Sequence, residues 1–203
     1  MLLDTYQTIA HPSEGLYKDK GSRFISLAYP VNNEETIKVI LAGIRKEHFS
    51  ARHCCYAWSI GTDQARCRVN DDGEPSGTAG RPIFGQIQSS GLSNILLVVV
   101  RYFGGTLLGV SGLIQAYKHA ANNAISNAEI VTQTVEHILE VLFDYLAMNR
   151  LMGLIKEERL EIIDTQSNLQ CLIRLKVRSS KLETIKTKIE IIEGIHSCKI
   201  IPE

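Results

Sequence analysis

The fold of the first half of the chain is decided by residues 94–113, which read NILLVVVRYFGGTLLGVSGL. Asn94–Val100 is dominated by leucine and β-branched residues, the pattern of a strand buried on both faces. The glycine-rich segment Arg101–Gly109 predicts a loop, and Val110–Ala128, with apolar residues on one face, predicts a helix. Proteins of alternating strands and helices often bind ligands where a buried strand leads into a helix. This joint is therefore a candidate site.

The sequence before this joint predicts further strands and helices. Asn32 and Asn33 can cap a helix because their side chains can accept a hydrogen bond from a backbone N–H, and the acidic residues that follow are favourable near the positive end of a helix. Apolar residues at helical spacing then occur at Ile37, Ile40, Leu41 and Ile44. Strands are predicted at Arg23–Tyr29, Cys54–Ile60 and Cys67–Val69, a turn-rich loop at Asn70–Gly80 and a helix at Arg81–Ser89.

The second half of the chain predicts a separate small domain. Its apolar patterns follow the order βαββαβ over about 70 residues, which is the ferredoxin-like arrangement. We place the boundary after the long helix, which gives domains at residues 1–133 and 134–203 and an α+β fold class. Residues 1–133 contain 12 basic and 11 acidic side chains and residues 134–203 contain 10 and 11, so neither half is strongly basic.

The composition excludes several classes of protein. Hydrophobic residues make up 44% of the 203 residues and charged residues 22%, which fits a globular protein and not a disordered chain, a collagen or a coiled coil. The 22 basic and 22 acidic side chains cancel, which argues against a generic nucleic-acid coat. No apolar run approaches the about 20 residues of a membrane helix, and the N-terminus lacks the features of a signal peptide. With an odd number of cysteines, we expect free thiols and a cytoplasmic location.

The loop Asp71–Gly80 carries the first group of candidate residues. Asp71, Asp72 and Glu74 could bind a divalent cation or hold a proton donor, or they could form a solvated turn. Their spacing is not that of an EF-hand, and we predict no metal site. Glycines beside Thr78 predict backbone N–H groups at a helix start that could hold an anion or the carbonyl of a partner.

The loop Arg101–Gly109 carries the second group. Arg101 could pair with a phosphate or a carboxylate, and Tyr102 and Phe103 could stack on a base or a peptide. The bare backbone of the glycines could allow a ligand to approach closely, at Gly104, Gly105 and Gly109. Neither the dinucleotide fingerprint nor the P-loop is present. The alternative is a tight joint between strand and helix with aromatic residues in the core.

Two further segments offer candidates. His53 lies at the entrance of a strand, whereas Cys54 and Cys55 should point to opposite faces and pack in the core. Lys118 should be exposed on the polar face of the long helix. In the second half, alternating cations would share one face of a strand and could contact phosphate or only solvent; these are Arg174, Lys176 and Arg178.

Three ordered motifs carry a family resemblance: DGEPSGTAGRP at residues 72–82, VVVRYFGGTLLG at 98–109 and GLIQAY at 112–117. With Ala51-Arg52-His53 before a strand, they resemble the IMPACT family and, more narrowly, its bacterial YigZ-type members. Ser111 stands where a second glycine is expected. The resemblance implies an N-terminal domain like domain 2 of ribosomal protein S5 and a C-terminal domain like those of elongation factor G.

The resemblance also implies a role near translation. Eukaryotic members regulate translation by binding a regulator of a stress-responsive kinase, and bacterial members are expected to associate with the ribosome or RNA. The leading hypothesis is a non-enzymatic regulator that binds RNA, the ribosome or a translation-related protein, without a cofactor. The candidate binding residues are His53, Asp72, Glu74, Thr78, Arg81, Arg101, Tyr102, Phe103, Gly104, Gly105, Gly109 and Lys118, with Arg174, Lys176 and Arg178 as candidate nucleic-acid contacts.

Two alternatives stay open at this point. The chain could be an enzyme or a binding protein for a phosphorylated or nucleotide ligand, in which the glycine-rich loop holds the anion and Asp72 or Glu74 binds Mg²⁺ or transfers a proton. It could also be a regulator that binds a peptide through the same aromatic loop, without nucleic acid.

Overall fold

The structure, a computed structural model, describes residues 4–62, 66–167 and 171–201. The described residues form two compact units, one of residues 6–133 and the other of residues 4–5 with 134–201. Both units combine strands and helices, so the predicted α+β fold class is confirmed.

The first unit is built on an antiparallel sheet of five strands in the order β2-β3-β6-β4-β5. A separate two-stranded sheet pairs β1 with β7. The strands are β1 (Thr5–Ile9), β2 (Ser13–Asp19), β3 (Ser22–Pro30), β4 (His53–Ile60), β5 (Arg66–Asn70), β6 (Ile95–Tyr102) and β7 (Ile130–Thr134). The helices are α1 (Glu34–Glu47), α2 (Gly80–Ser89) and α3 (Gly109–Ser126).

The central strand β6 is buried on both of its faces, as its sequence predicts. Alternate residues belong to different cores because successive side chains of a strand point to opposite faces. Ile95, Leu97 and Val99 pack with residues of α2 and α3, and Leu96, Val98 and Val100 pack with residues of α1. The sheet is thus covered by helices on both faces, although its strands are antiparallel.

The end of β6 differs from the prediction of a loop beginning at Arg101. Arg101 and Tyr102 are the last residues of β6, because Arg101 pairs with His53 of β4 and with Phe24 of β3. The sequence analysis also missed β1, β2 and β7. The strand β2 reads SEGLYKD and is partly or fully exposed throughout, since it lies at the edge of the sheet.

The second unit has the predicted βαββαβ order. Its antiparallel sheet has the strand order β11-β8-β10-β9, and the two helices bury one apolar face against it. This confirms the ferredoxin-like prediction. The elements are β8 (Glu136–Phe143), α4 (Met148–Glu158), β9 (Glu161–Ser167), β10 (Cys171–Arg178), α5 (Leu182–Glu190) and β11 (Ile195–Ile201).

Candidate functional site

A cavity of 330 Å³ lies where the end of β6, the start of β4 and the start of α3 meet. The cavity combines a polar floor with apolar walls. The polar lining consists of Arg52, His53, Glu74 and Arg101, and the remaining lining consists of Pro75, Phe103, Leu107, Leu108, Gly109, Val110 and Leu113. The two loops with predicted site residues therefore contribute to one cavity, together with His53.

The floor is organised around the carboxylate of Glu74, which is only 8% exposed. Arg101 Nη1 donates to Glu74 Oε1 at 2.7 Å, and the Tyr117 hydroxyl donates to the same oxygen at 2.8 Å. A buried charge is tolerated when it is paired and hydrogen-bonded, and here both conditions are met. Arg101, itself 5% exposed, is therefore neutralised within the protein.

The arginine is also held between two aromatic rings. Its guanidinium carbon lies 5.4 Å from the centre of the Phe24 ring and 5.6 Å from that of Phe103. Such cation–π contacts restrict the side chain further. Phe103 remains 45% exposed, so one part of its ring holds the arginine and another faces solvent.

Cys55 and Tyr117 extend this network into the core. The Cys55 thiol lies 3.3 Å from the Tyr117 hydroxyl and 3.0 Å from the carbonyl oxygen of Asp71. Burial raises the pKa of both groups, and the carboxylate of Glu74 adds to the effect. Because the thiolate is the reactive form, Cys55 is held as an unreactive thiol. The prediction that Cys54 and Cys55 pack on opposite faces is confirmed.

His53 lies beside Glu74 on the floor of the cavity. Its Nδ1 lies 2.8 Å from the carbonyl oxygen of Asp72. Since a carbonyl can only accept, Nδ1 carries the proton, and in the neutral ring Nε2 is left with a lone pair. That nitrogen lies 3.9 Å from Glu74 Oε1. The floor therefore places an imidazole nitrogen and a carboxylate side by side.

Asp71 caps the helix α2, although it lies nine positions before Gly80. Its carboxylate accepts hydrogen bonds from the backbone N–H groups of Gly77, Ala79 and Gly80 at 2.8–3.0 Å. Burial opposes its ionisation, but these bonds outweigh burial and lower the pKa of Asp71. The N–H groups that the sequence analysis expected to hold a foreign anion are thus occupied by the protein itself.

Asp72 fastens the same loop to the sheet and to α1. Its carboxylate accepts from the backbone N–H of Cys54 at 2.6 Å and forms an ion pair with Arg45. The three neighbouring carboxylates therefore turn towards three different partners. Among the residues that the structure describes, no group of three or more His, Cys, Asp or Glu side chains is placed to hold a metal ion.

Gly104 brings the cavity loop against the turn between β2 and β3. A Cβ atom there would lie 1.9 Å from the backbone carbon of Gly21, so no other residue fits without movement. The N–H of Gly104 also donates to the Ser22 hydroxyl at 3.1 Å. Gly105 and Gly109 have positive φ angles of 89° and 70°, a conformation that favours glycine. These glycines serve the tight joint between strand and helix.

Other predicted residues lie outside the cavity. Tyr102 is turned to the opposite face of the sheet, where its hydroxyl lies 2.9 Å from Nδ1 of His48. Thr78 is buried and donates to the carbonyl oxygen of Pro75. Arg81 and Lys118 are exposed on α2 and α3 and do not line the cavity.

The candidate cations of β10 all carry acidic partners within their own unit. Arg174 contacts Glu140 at 2.9 Å and Asp164 at 3.4 Å. Lys176 contacts Glu136, and Arg178 contacts Asp4, each at 2.7 Å. These cations share one strand, as the alternation predicts, but neighbouring carboxylates balance their charges.

A second set of cations, which the sequence analysis did not select, surrounds the cavity end of the sheet. We call it the strand-end surface, defined by Lys18, Lys20, Arg23, Lys46 and Arg52. The turn between β2 and β3 touches the cavity loop at Gly104, and Arg23 lies over the Tyr102 ring. Within residues 4–62, 66–167 and 171–201, none of the five forms an ion pair.

The sequence analysis missed further residues of the site. Tyr117 has the helical spacing of a core residue, but spacing does not show that its hydroxyl reaches Glu74. Leu107 and Val110 were predicted only as parts of a loop and a helix, and the structure shows that they line the cavity with 83% and 60% of their surface exposed. The only sequence feature that could have indicated this was an apolar residue close to glycines.

Comparison with known proteins places the chain in a family. The Impact N-terminal domain matches residues 20–125. The IMPACT family member YigZ of Escherichia coli K12 is 32% identical over 191 residues, which cover 92% of this chain and 93% of that protein. The IMPACT family member YvyE of Bacillus subtilis 168 is also 32% identical, over 78% of this chain and 73% of that protein.

A solved structure agrees with these relatives along the whole chain. The crystal structure of a hypothetical protein matches with a TM-score of 0.76 and 30% identity, and the alignment covers 100% of this chain and 98% of that chain. In the described part of the chain, no helix is long and apolar enough to span a membrane. The motifs, the domain match and the full-length relatives together show that the chain belongs to the IMPACT family.

Proposed function

We propose that this chain is a non-enzymatic, cytoplasmic regulatory protein of translation that binds the ribosome, RNA or a translation factor through the strand-end surface and its cavity. The observation that carries the proposal is the positive charge of that surface, whose cations form no ion pair with any residue that the structure describes. Family membership supports the link to translation, since the resemblance described above ties the family to it.

The charge of the strand-end surface is not balanced locally. Asp19 and Glu47 lie at the same end of the sheet, so five cations face two carboxylates and the difference is three positive charges. The charges of Asp71 and Arg81, near the start of α2, compensate each other. Unpaired cations can displace the counterions of phosphate groups, whereas cations already paired with carboxylates contribute little. The strand-end surface is therefore favoured over β10 as the contact with RNA.

A second function is favoured by the apolar walls of the cavity. Phe103, Leu107 and Val110 are all exposed at its mouth, and exposed apolar side chains grouped at one cavity often bind a protein partner. The chain would then bind a peptide of a translation factor and would not need nucleic acid.

Co-sedimentation with purified ribosomes at low and moderate salt tests the proposal. We expect the wild-type protein to sediment with ribosomes at about 50 mM salt and to dissociate as the salt rises towards about 200 mM. The double variant Lys20→Glu, Arg23→Glu should lose most of this association, because two phosphate contacts become repulsive.

A matched control carries the same change in net charge elsewhere. Lys38→Glu with Lys156→Glu changes two exposed lysines outside the strand-end surface and should sediment like the wild type. No sedimentation of the folded wild-type protein at any salt would contradict ribosome binding. Equal losses in both double variants would show a non-specific charge effect and no defined surface. Sedimentation that persists after nuclease treatment of a lysate would favour the peptide-binding function.

A further inference from the structure

We propose that the 330 Å³ cavity binds one unpaired base of a single-stranded RNA, and that it selects a base with an exocyclic amino group. This inference rests on the proposed function, because it names the partner and the chemistry of the same surface. It is carried by three features that lie together in the cavity lining: the exposed ring of Phe103, the carboxylate of Glu74 on the floor and the cation of Arg52.

The walls suit a flat apolar ligand. The cavity volume falls in the range of about 300–1,000 Å³ in which proteins bind small organic groups. Phe103 is 45% exposed at the cavity, and the guanidinium of Arg101 contacts its ring and holds the ring in place. Bases of single-stranded nucleic acids stack on such rings without regard to sequence. Phe103 therefore provides a stacking surface that is fixed before the ligand arrives.

The floor suits a donor group on that ligand. The side-chain hydrogen bonds that Glu74 accepts from described residues both use Oε1, so Oε2 keeps its capacity to accept. Because a carboxylate oxygen can only accept, Oε2 favours a ligand edge with N–H donors. Carboxylates recognise the amino group of cytosine in the same way.

The cations near the cavity favour RNA over a peptide as its ligand. A peptide that offers a lysine or an arginine to Glu74 would meet the repulsion of Arg52 in the cavity lining and of Lys20, beside the Gly21 that touches the cavity loop. An acidic peptide would suit these cations but not the carboxylate of the floor. RNA satisfies both, because its phosphates are anionic and its bases carry neutral amino donors. Arg52 belongs to both the strand-end surface and the cavity lining, so it links the two contacts.

The floor should discriminate between bases. Adenine and cytosine present an amino group to Oε2 of Glu74, whereas uracil presents one ring N–H between two carbonyl oxygens. These oxygens would face the carboxylate of Glu74. We expect oligocytidylate and oligoadenylate to bind about tenfold more tightly than oligouridylate, which is the scale of one well-formed contact to a base.

Fluorescence anisotropy with labelled oligonucleotides of about eight residues, long enough for one binding groove, measures this on the full-length protein. Phe103→Ala should lower the affinity for all three oligonucleotides by about tenfold, because stacking does not depend on the base. Tyr145→Ala removes an aromatic ring that is 77% exposed in the other unit and should change nothing. Glu74→Gln should bring cytidylate and uridylate to similar affinity, because an amide offers both a donor and an acceptor.

Each outcome decides the inference. Glu74→Gln disturbs a buried ion pair, so the melting curve of this variant must first show that it is folded. If it is unfolded, the affinities of the wild type for the three oligonucleotides and the effect of Phe103→Ala test the inference. Equal affinity for the three oligonucleotides, or full affinity in Phe103→Ala, would overturn base binding in the cavity. The proposed function would survive that result if binding still depended on Lys20 and Arg23. Absence of RNA binding at any salt, together with absence of ribosome association, would overturn both.

Discussion

Arg101 and Glu74 form an ion pair whose two partners depend on each other. The side chains are 6% and 3% exposed, so neither charge could be solvated alone. A buried pair of this kind adds little net stability compared with apolar residues, but the loss of one partner leaves an unpaired buried charge. The pair therefore fixes the loop that carries Glu74 to the end of β6.

We expect Arg101→Ala to lower the free energy of unfolding by about 3–5 kcal/mol, because Glu74 would remain buried without its cation. Urea denaturation of the variant and the wild type measures the difference. A loss below about 1 kcal/mol would show that the carboxylate is not held in this way. Loss of binding by this variant is therefore interpretable only if the protein is shown to be folded.

Asp71 gives the first unit a dependence on acid. The pKa of Asp71 is lowered in the folded state, so its stabilisation is present above the unfolded pKa of about 3.9 and is lost as the pH falls through the folded pKa. Asp71→Ala should cost about 1–2 kcal/mol at neutral pH, as expected for a lost helix cap. Thermal melts between neutral and acidic pH should show a smaller drop in the variant. A parallel drop in both proteins would contradict this role.

Two glycines should respond oppositely to alanine. At Gly104 the added Cβ would meet the backbone of Gly21, and overpacking of this kind costs about 1–3 kcal/mol. At Gly43, within α1, nothing lies within 4 Å of the added atom, so the helix should gain about 0.5–1 kcal/mol. The melting temperatures of the two variants measure this. Equal shifts would contradict the close contact at Gly104.

At the scale of elements, the sequence predicted the elements with a clear apolar pattern and missed an exposed edge strand that lacks one. The strand β6 was predictable because its short run of β-branched and leucine residues favours a buried strand. The cap of α1 was predicted at Asn32 or Asn33, because asparagine side chains can accept from a backbone N–H, and the structure places it at Asn33, at 2.8 Å from the N–H of Thr36. The strand β2 was missed because its exposed side chains show no apolar alternation. The cavity required two loops to meet, and no local pattern contains that information.

The strand β10 provides a test of charges that are already paired. Arg174 is 36% exposed, and its contacts with Glu140 and Asp164 lie at the surface. Arg174→Ala should therefore cost no more than about 1 kcal/mol and should leave ribosome association unchanged. Denaturation and co-sedimentation measure the two effects. A clear loss of sedimentation with an unchanged fold would restore β10 as a nucleic-acid contact.

At the scale of the whole molecule, the neutral composition conceals a local excess of charge. The chain has 22 basic and 22 acidic side chains, yet five cations of the strand-end surface form no ion pair with any residue that the structure describes. The total charge argues against a coat-like binder. The alternation on β10 predicts that its cations share one face, whereas their pairing with carboxylates is visible only in three dimensions. The sequence motifs nevertheless identified the family and the loops of the cavity.

The most direct test of the account is the recovery of RNA with the full-length protein from ultraviolet-crosslinked cell lysate. Three proteins are compared: the wild type, Lys20→Glu with Arg23→Glu, and the control Lys38→Glu with Lys156→Glu. The account predicts RNA with the wild type and the control, sensitive to nuclease, and a large loss with the strand-end variant. Equal recovery from all three, or none from the folded wild type, would contradict it.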